Sequence, residues 1–356
     1  MFTNTLYCQD SPPGCTLLTS LDEAIYAALP TSTTPDTSLR RGDVIEVQGP
    51  SGSGKTQLLY FIVITTLLPF ELPFEYRRRG SSTEPSQAAF KAQSLLIGGR
   101  GKSVVLCNCD SRWSLSRLHS MIVYYLQRRL EQAPFSISDA STYEIRPTLE
   151  QVAENTLRHL HVFRPSSTIA LAAALRCLPS YHARSMRDED IFMLIIDPIN
   201  PLYWHDRWVM EAADANQPRP AARPPLQAVL SALQKLISVY RPITFLTNHA
   251  LTPLTQTSVF YKQHLPPPYP APFETNTHTR PKATLLSLTH HITLPLPRIA
   301  AYSTSMTLEA ACSDAERREM VEKCDVVGFL RTPPGEFPET KVGRFYFGLE
   351  ASGLRT

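Results

Sequence analysis

Gly49-Pro50-Ser51-Gly52-Ser53-Gly54-Lys55-Thr56 fits the pattern G-x-x-x-x-G-K-[S/T]. It stands between the apolar alternation Val44-Ile45-Glu46-Val47 and the apolar run Leu58 to Leu68, the strand, loop and helix setting that such a loop requires. The residue types have a physical reason. Glycines let the backbone curl around phosphate oxygens with its N–H groups pointing inward, and the N-terminus of the following helix adds favourable partial charge. Gly49 through Thr56 are therefore candidate phosphate-binding residues, with Lys55 expected to reach the β and γ phosphates of ATP and the Thr56 hydroxyl to ligate Mg²⁺. The bland alternative is a Gly/Ser turn with no ligand.

Composition frames this loop without naming its use. At 356 residues, 43% hydrophobic and 19% charged, the chain can bury a large core as one large α/β domain or two smaller ones. A net charge of +3 permits contact with nucleic acid but does not argue for it. Arg77-Arg78-Arg79, Arg128-Arg129 and Arg40-Arg41 read first as solvated faces. Seven cysteines are spread widely along the chain, and Cys107-x-Cys109 has no second pair at zinc-ligand spacing, which points to a reduced, intracellular setting. The first residues show no basic flank with an apolar stretch behind it. The longest apolar run, Leu58 to Phe70, is too short to span a bilayer, so no membrane contact is expected.

Core elements alternate with proline-rich or polar inserts near 75–101, 133–148, 211–225 and 262–282, where Pro266-Pro267-Pro268 and Pro270 exclude helix and central strand. These read as loops decorating one core. Between them the pattern predicts a strand over Ser103–Asn108 and an amphipathic helix over Ser114–Glu131, with Leu115, Leu118, Ile122, Tyr125 and Leu126 along one stripe. A strand over Leu160–Phe163 and a helix over Ser167–Leu178 follow. Ile191–Asp197 is an unbroken apolar run ending in a carboxylate, as expected of a central parallel strand buried on both faces. A helix over Leu226–Tyr240 and a strand over Ile243–Thr247 complete the series. Alternating strand and helix implies a parallel sheet covered on both sides, with ligands at the carboxyl ends of its strands.

That rule selects three more candidates. Asp197 ends its strand beside the loop, where a carboxylate can hold Mg²⁺ through water or through Thr56; the other reading is a capping or turn aspartate before Pro198. Asp110 stands where a general base can face an attacking water, although Asp110 or Ser111 could equally cap the helix near Ser114. His249 could sense the γ phosphate through its ring N–H, or be a structural histidine at a strand end. Leu17, Leu18 and Leu21 either pack on a neighbour or cover their own sheet.

The order of these pieces resembles the RecA-like recombinase family. Arg41-Gly42-Asp43-Val44-Ile45-Glu46-Val47 leading into the loop, the carboxylate Asp110, the strand to Asp197 and the Thr247-Asn248-His249 corner carry the resemblance. The blocks Arg164-Pro165-Ser166-Ser167-Thr168, Leu194 to Arg207 and Lys235 to Arg241 are similar to its eukaryotic paralogues. Tyr203-Trp204 with Asp206-Arg207 is the narrowest feature. The likeness covers about residues 15 to 262 well and the C-terminal hairpin loosely.

The resemblance implies a RecA-like P-loop ATPase core over 41–356, a mostly parallel sheet flanked by helices, with Pro-rich insertions near 75–101, 211–225 and 262–282 and a C-terminal antiparallel hairpin. It implies a 1–40 N-terminal extension, too short for the helical DNA-binding domain of filament-forming members. Asp110 takes the place of the family's catalytic glutamate, one methylene shorter, and His249 that of its γ-phosphate-sensing glutamine. The loop beyond corresponds to a DNA-contacting loop, and its Pro266–Pro272 stretch departs from a mobile Gly-rich segment. The implied role is a nuclear accessory factor in homologous recombination and double-strand-break repair, with at most a weak DNA-dependent ATPase. It would assemble with other recombinase paralogues, the D-type paralogue especially, to load or stabilise a filament on single-stranded or branched DNA. Two other classes stay open: a P-loop phosphotransferase with Arg77, Arg78 and Arg79 as a lid, and a pseudo-ATPase scaffold.

Overall fold

The computed structural model describes residues 16–28, 38–78, 90–133, 143–214, 224–270, 286–296, 303, 305–315, 319, 325–332, 342–350 and 353–355. In chain order these form α1 (Thr19–Ala28), β1 (Val44–Gly49), α2 (Lys55–Leu67), β2 (Glu71–Arg78), β3 (Lys91–Leu96), β4 (Val104–Asn108), α3 (Leu115–Glu131), β5 (Tyr143–Arg146), α4 (Leu149–Leu157) and β6 (Leu160–Phe163). There follow α5 (Thr168–Ser185), β7 (Met193–Asp197), α6 (Asn200–Asp214), α7 (Pro225–Tyr240), β8 (Ile243–His249), β9 (His290–Thr293), α8 (Leu308–Ser313), β10 (Asp325–Arg331), β11 (Val342–Glu350) and β12 (Gly353–Arg355).

The main sheet has nine strands in the order β12-β11-β10-β9-β1-β8-β7-β4-β6. From β6 to β9 every pairing is parallel, and β10 to β12 continue it antiparallel. This is the expected α/β architecture, with the C-terminal hairpin carrying a third short strand. The alternation of side chains across the pleat divides the core in two. Met193 and Ile195 join Ile45, Val47 and Phe245 under α1, α2 and α3. Leu194 and Ile196 join Val44, Val105 and Leu246 under α5 and α7. The apolar run of α2 is buried almost all round because the helix lies between the sheet and its helical neighbours.

Several expectations are corrected. The insert expected near 75–101 is not only loop: Arg78 ends β2, Lys91–Leu96 is β3, and with β5 they make a second, antiparallel sheet in the order β3-β2-β5. Leu72, Phe74 and Tyr76 turn one face of β2 to the core. Pro73 is tolerated because β5 pairs with β2 only from Glu75 onward, so the proline sits where the strand has a neighbour on one side alone. Within 211–225, residues 211–214 complete α6, and 215–223 lie outside the described residues, as does 271–282 of the insert near 262–282. The helix expected to stop at Leu178 runs through Pro179 to Ser185. In the stretch expected to be an extension, α1 packs on β11 and buries Leu21, Ala24 and Ile25 in the core. Leu18 and Leu21 thus cover their own sheet.

Candidate functional site

The first turn of α2 carries the phosphate loop's lysine and threonine, and its cap, Gly54, is left-handed (φ +92°) and supplies no side-chain bond. The leading N–H groups of the helix therefore have neither an intrahelical acceptor nor a side-chain cap. Gly52 is also left-handed (φ +79°), and a Cβ there would meet nothing within 4 Å, so the loop's outer wall faces open space. At Gly49 a Cβ would collide with the Leu294 carbonyl oxygen and Ser53 Oγ; only glycine lets β1 pass so close to β9.

The pleat then places the carboxylate. Asp197 follows Met193 and Ile195 onto the α2 face of β7, and Thr247 follows Phe245 onto the same face of β8. Asp197 Oδ2 accepts from Thr56 Oγ1 at 3.0 Å and from Trp113 Nε1 at 2.7 Å, while Oδ1 accepts from Thr247 Oγ1. The residue is 3% exposed.

A cleft of about 310 Å³ opens here, lined by Ser51 through Gln57, Tyr60, Asp110, Arg112, Arg117, Asp197, Pro198 and His249. The candidates Ser51, Gly52, Ser53, Gly54, Lys55, Thr56, Asp110, Asp197 and His249 thus share one cleft. Gly49 and Pro50 lie behind it, their carbonyls each accepting from Lys55 Nζ at 2.7 Å. Burial lowers the Lys55 pKa to about 8, against the opposing pull of Asp197. His249 is set by register, since Gly49 lies opposite it across β1 and β8. Burial, then Lys55 and Arg112, push its pKa below the usual histidine value, so at neutral pH its ring is uncharged.

Ser114 caps α3, accepting from the Arg117 N–H, which removes that role from Asp110 and Ser111. Asp110 instead accepts from the Arg112 N–H at 3.1 Å and pairs with its guanidinium at 3.2 Å. Burial raises its pKa, opposed by the Arg112 N–H. Arg112, Arg117, Trp113 and Thr247 were not legible as site residues: no motif spacing marks them, and they arrive through the turn after β4, the first turn of α3 and the pleat of β8. Arg77, the describable arginine of the supposed lid, lies elsewhere. It pairs with Glu144 at 2.6 Å and stacks on Phe90. The Arg78 side chain and Arg79 lie outside the described residues.

Behind the cleft, β1 carries a buried carboxylate. Glu46 Oε1 accepts from Asn248 Nδ2 (3.0 Å), Gln263 Nε2 (3.1 Å) and the Tyr269 hydroxyl (3.1 Å), and Oε2 lies 3.3 Å from His291 Nε2. Arg331 Nη2 stands 3.2 Å from the other ring nitrogen of His291. Among the described residues no cluster of three histidine, cysteine or carboxylate side chains could hold a metal ion, and no helix is long and apolar enough to cross a membrane.

The donor set fits a Mg²⁺-bound nucleoside triphosphate. Helix-terminal N–H groups, a buried ammonium and a hydroxyl bonded to a carboxylate all converge on one cleft. No protein-family model matches the chain. It is 22% identical over 227 residues to a protein of Arabidopsis thaliana named DNA repair protein XRCC2 homolog, a match that takes in 59% of this chain and 55% of the relative. The chain therefore spans about half the length of the curated relative it matches. The sheet order and the strand, loop and helix at Gly49–Thr56 are consistent with a RecA-like α/β core, and the similarity to the Arabidopsis protein is a distant, XRCC2-like one.

Proposed function

We propose that the chain is an ATP-binding accessory factor of homologous recombination and DNA double-strand-break repair. The convergence of the Gly49–Thr56 loop with Asp197 carries the nucleotide reading, and the name of the Arabidopsis relative supports the repair role. Backbone N–H groups of Gly52 to Thr56 and the Lys55 ammonium would hold the phosphates, and Thr56 with Asp197 the Mg²⁺. Bound Mg·ATP supplies a phosphoryl group that water can accept. Asp110 faces the cleft as the base for that water, and His249, uncharged, as the group that reports on the terminal phosphate. In this reading the chain acts in the nucleus with other recombinase paralogues, the D-type paralogue first, and meets single-stranded or branched DNA through the complex.

Copurification from cells with mass spectrometry of the partners tests the role. Recovery of recombinase paralogues is expected. A solitary monomer with metabolite-dependent phosphoryl transfer would replace this reading with the phosphotransferase, although Arg77 is held by Glu144 away from the cleft.

A further inference from the structure

We propose that Trp113 is a positioning residue that ties the turn bearing Asp110 and Arg112 to Asp197 and thereby sets the affinity for the divalent cation. This rests on the Mg·ATP reading of the cleft. Trp113 is 5% exposed. Its indole N–H donates to Asp197 Oδ2 at 2.7 Å, the same oxygen that accepts from Thr56. Its ring packs on Tyr60 of α2, centroids 4.2 Å apart. The Tyr60 hydroxyl in turn accepts from the Ser114 N–H at 2.8 Å, and the Cys109 N–H donates to the Asp197 carbonyl at 2.9 Å. Residues 109 to 114 are thus fastened to β7 at one end and to α2 at the other, with the tryptophan bridging both.

The consequence is chemical. A carboxylate offers about four acceptor directions, and Trp113, Thr56 and Thr247 occupy three. The remaining direction is fixed in space because the indole cannot swing without losing its tilted packing against Tyr60. Asp197 therefore presents one aimed lone pair, and Asp110 keeps a set distance from it through the same ring. Outer partners of this kind orient a metal-binding carboxylate, and their loss typically weakens metal affinity about 10- to 100-fold.

The test is Trp113→Phe, which keeps a smaller aromatic ring beside Tyr60 and removes the N–H, with folding checked by thermal melting. Binding of a fluorescent ATP analogue is titrated with Mg²⁺ and repeated in EDTA. The expected result is a Mg²⁺ half-saturation raised about 10- to 100-fold with metal-free binding changed less than about threefold. A merely structural role would weaken both equally, and that result, or an unchanged Mg²⁺ requirement, overturns the proposal. Absence of nucleotide binding by the wild type overturns it together with the reading beneath it. Should Trp113→Phe fail to fold, a second measurement decides. The chain has three tryptophans, so Trp204→Phe with Trp208→Phe leaves Trp113 as the only tryptophan, read with excitation that tyrosine does not absorb. With ATPγS bound, shown by calorimetry, adding Mg²⁺ should change its emission; no change overturns the proposal.

Discussion

At the scale of single residues, Lys55 decides the most. Burial strips water from its ammonium, which is why its pKa falls to about 8 although two loop carbonyls accept from it, whereas phosphate contact needs the charged form. Binding above that pH must therefore take up a proton, and affinity for Mg·ATP is expected to fall by up to about tenfold per pH unit above 8. Calorimetry at pH 7, 8 and 9 checks it. Lys55→Ala should bind more weakly at pH 7 and lose the slope; equal affinity in the two proteins removes Lys55 from the phosphate site. Asp110 gives a second expectation. Water must be placed to better than an ångström, and misplacement of that order costs about a hundredfold. With a short carboxylate held by Arg112, turnover should lie far below about 1 per second, and Asp110→Glu should raise it. A fast wild-type ATPase, or one abolished by that change, shows the carboxylate already well placed.

Between elements, the buried Glu46 network makes stability depend on pH. Burial pushes the Glu46 pKa up, but His291 and the bonds from Asn248 and Gln263 outweigh it and the net shift is downward. Its contribution is present above about pH 4.3 and is lost as pH falls through the lower folded value. Burial lowers the pKa of His290 and His291, so unfolding lets both bind protons sooner. Stability should therefore decline as pH drops below about 6.5. Asp22, raised by burial, acts in the opposite direction and cannot add to that decline. Urea unfolding at pH 7.5, 6.5 and 5.5 measures it; a flat profile would mean the histidines take up protons as readily in the fold as in the unfolded chain. Between β10 and β11, Gly328 leaves room for the Phe345 ring, which a Cβ would enter. Gly328→Ala should cost about 1–3 kcal/mol by overpacking, read by the same titration.

The same elements show what the chain discloses before folding. β1, β4, β7, β8, α3 and α7 are legible because each is long or fully apolar enough for its period to show. α4 is announced only by the complete capping box of Thr148 and Gln151. β2 was hidden by Pro73, whose harmlessness depends on where β5 begins. The site divides in the same manner: the loop is a contiguous motif, whereas Trp113 and Thr247 reach Asp197 only through turn and pleat geometry.

For the molecule as a whole, the net charge of +3 supplies little general attraction to phosphate backbones. The purified chain should bind single-stranded DNA weakly and more tightly with a paralogue present; tight, salt-sensitive binding by the chain alone sinks that expectation. The place of β1 at the centre of the sheet has another consequence, for synthesis. Val44 meets Thr244 and Ile45 meets His290, so the strand must wait for partners about 200 and 245 residues downstream, a topology of slow closure. At about 5–20 residues per second, the ribosome leaves the first strand and the apolar helix behind it without a sheet for roughly 10–50 seconds. Nascent chains arrested before residue 290 should remain open to protease and bound to holdase chaperones, and soluble yield should follow chaperone supply more than codon choice.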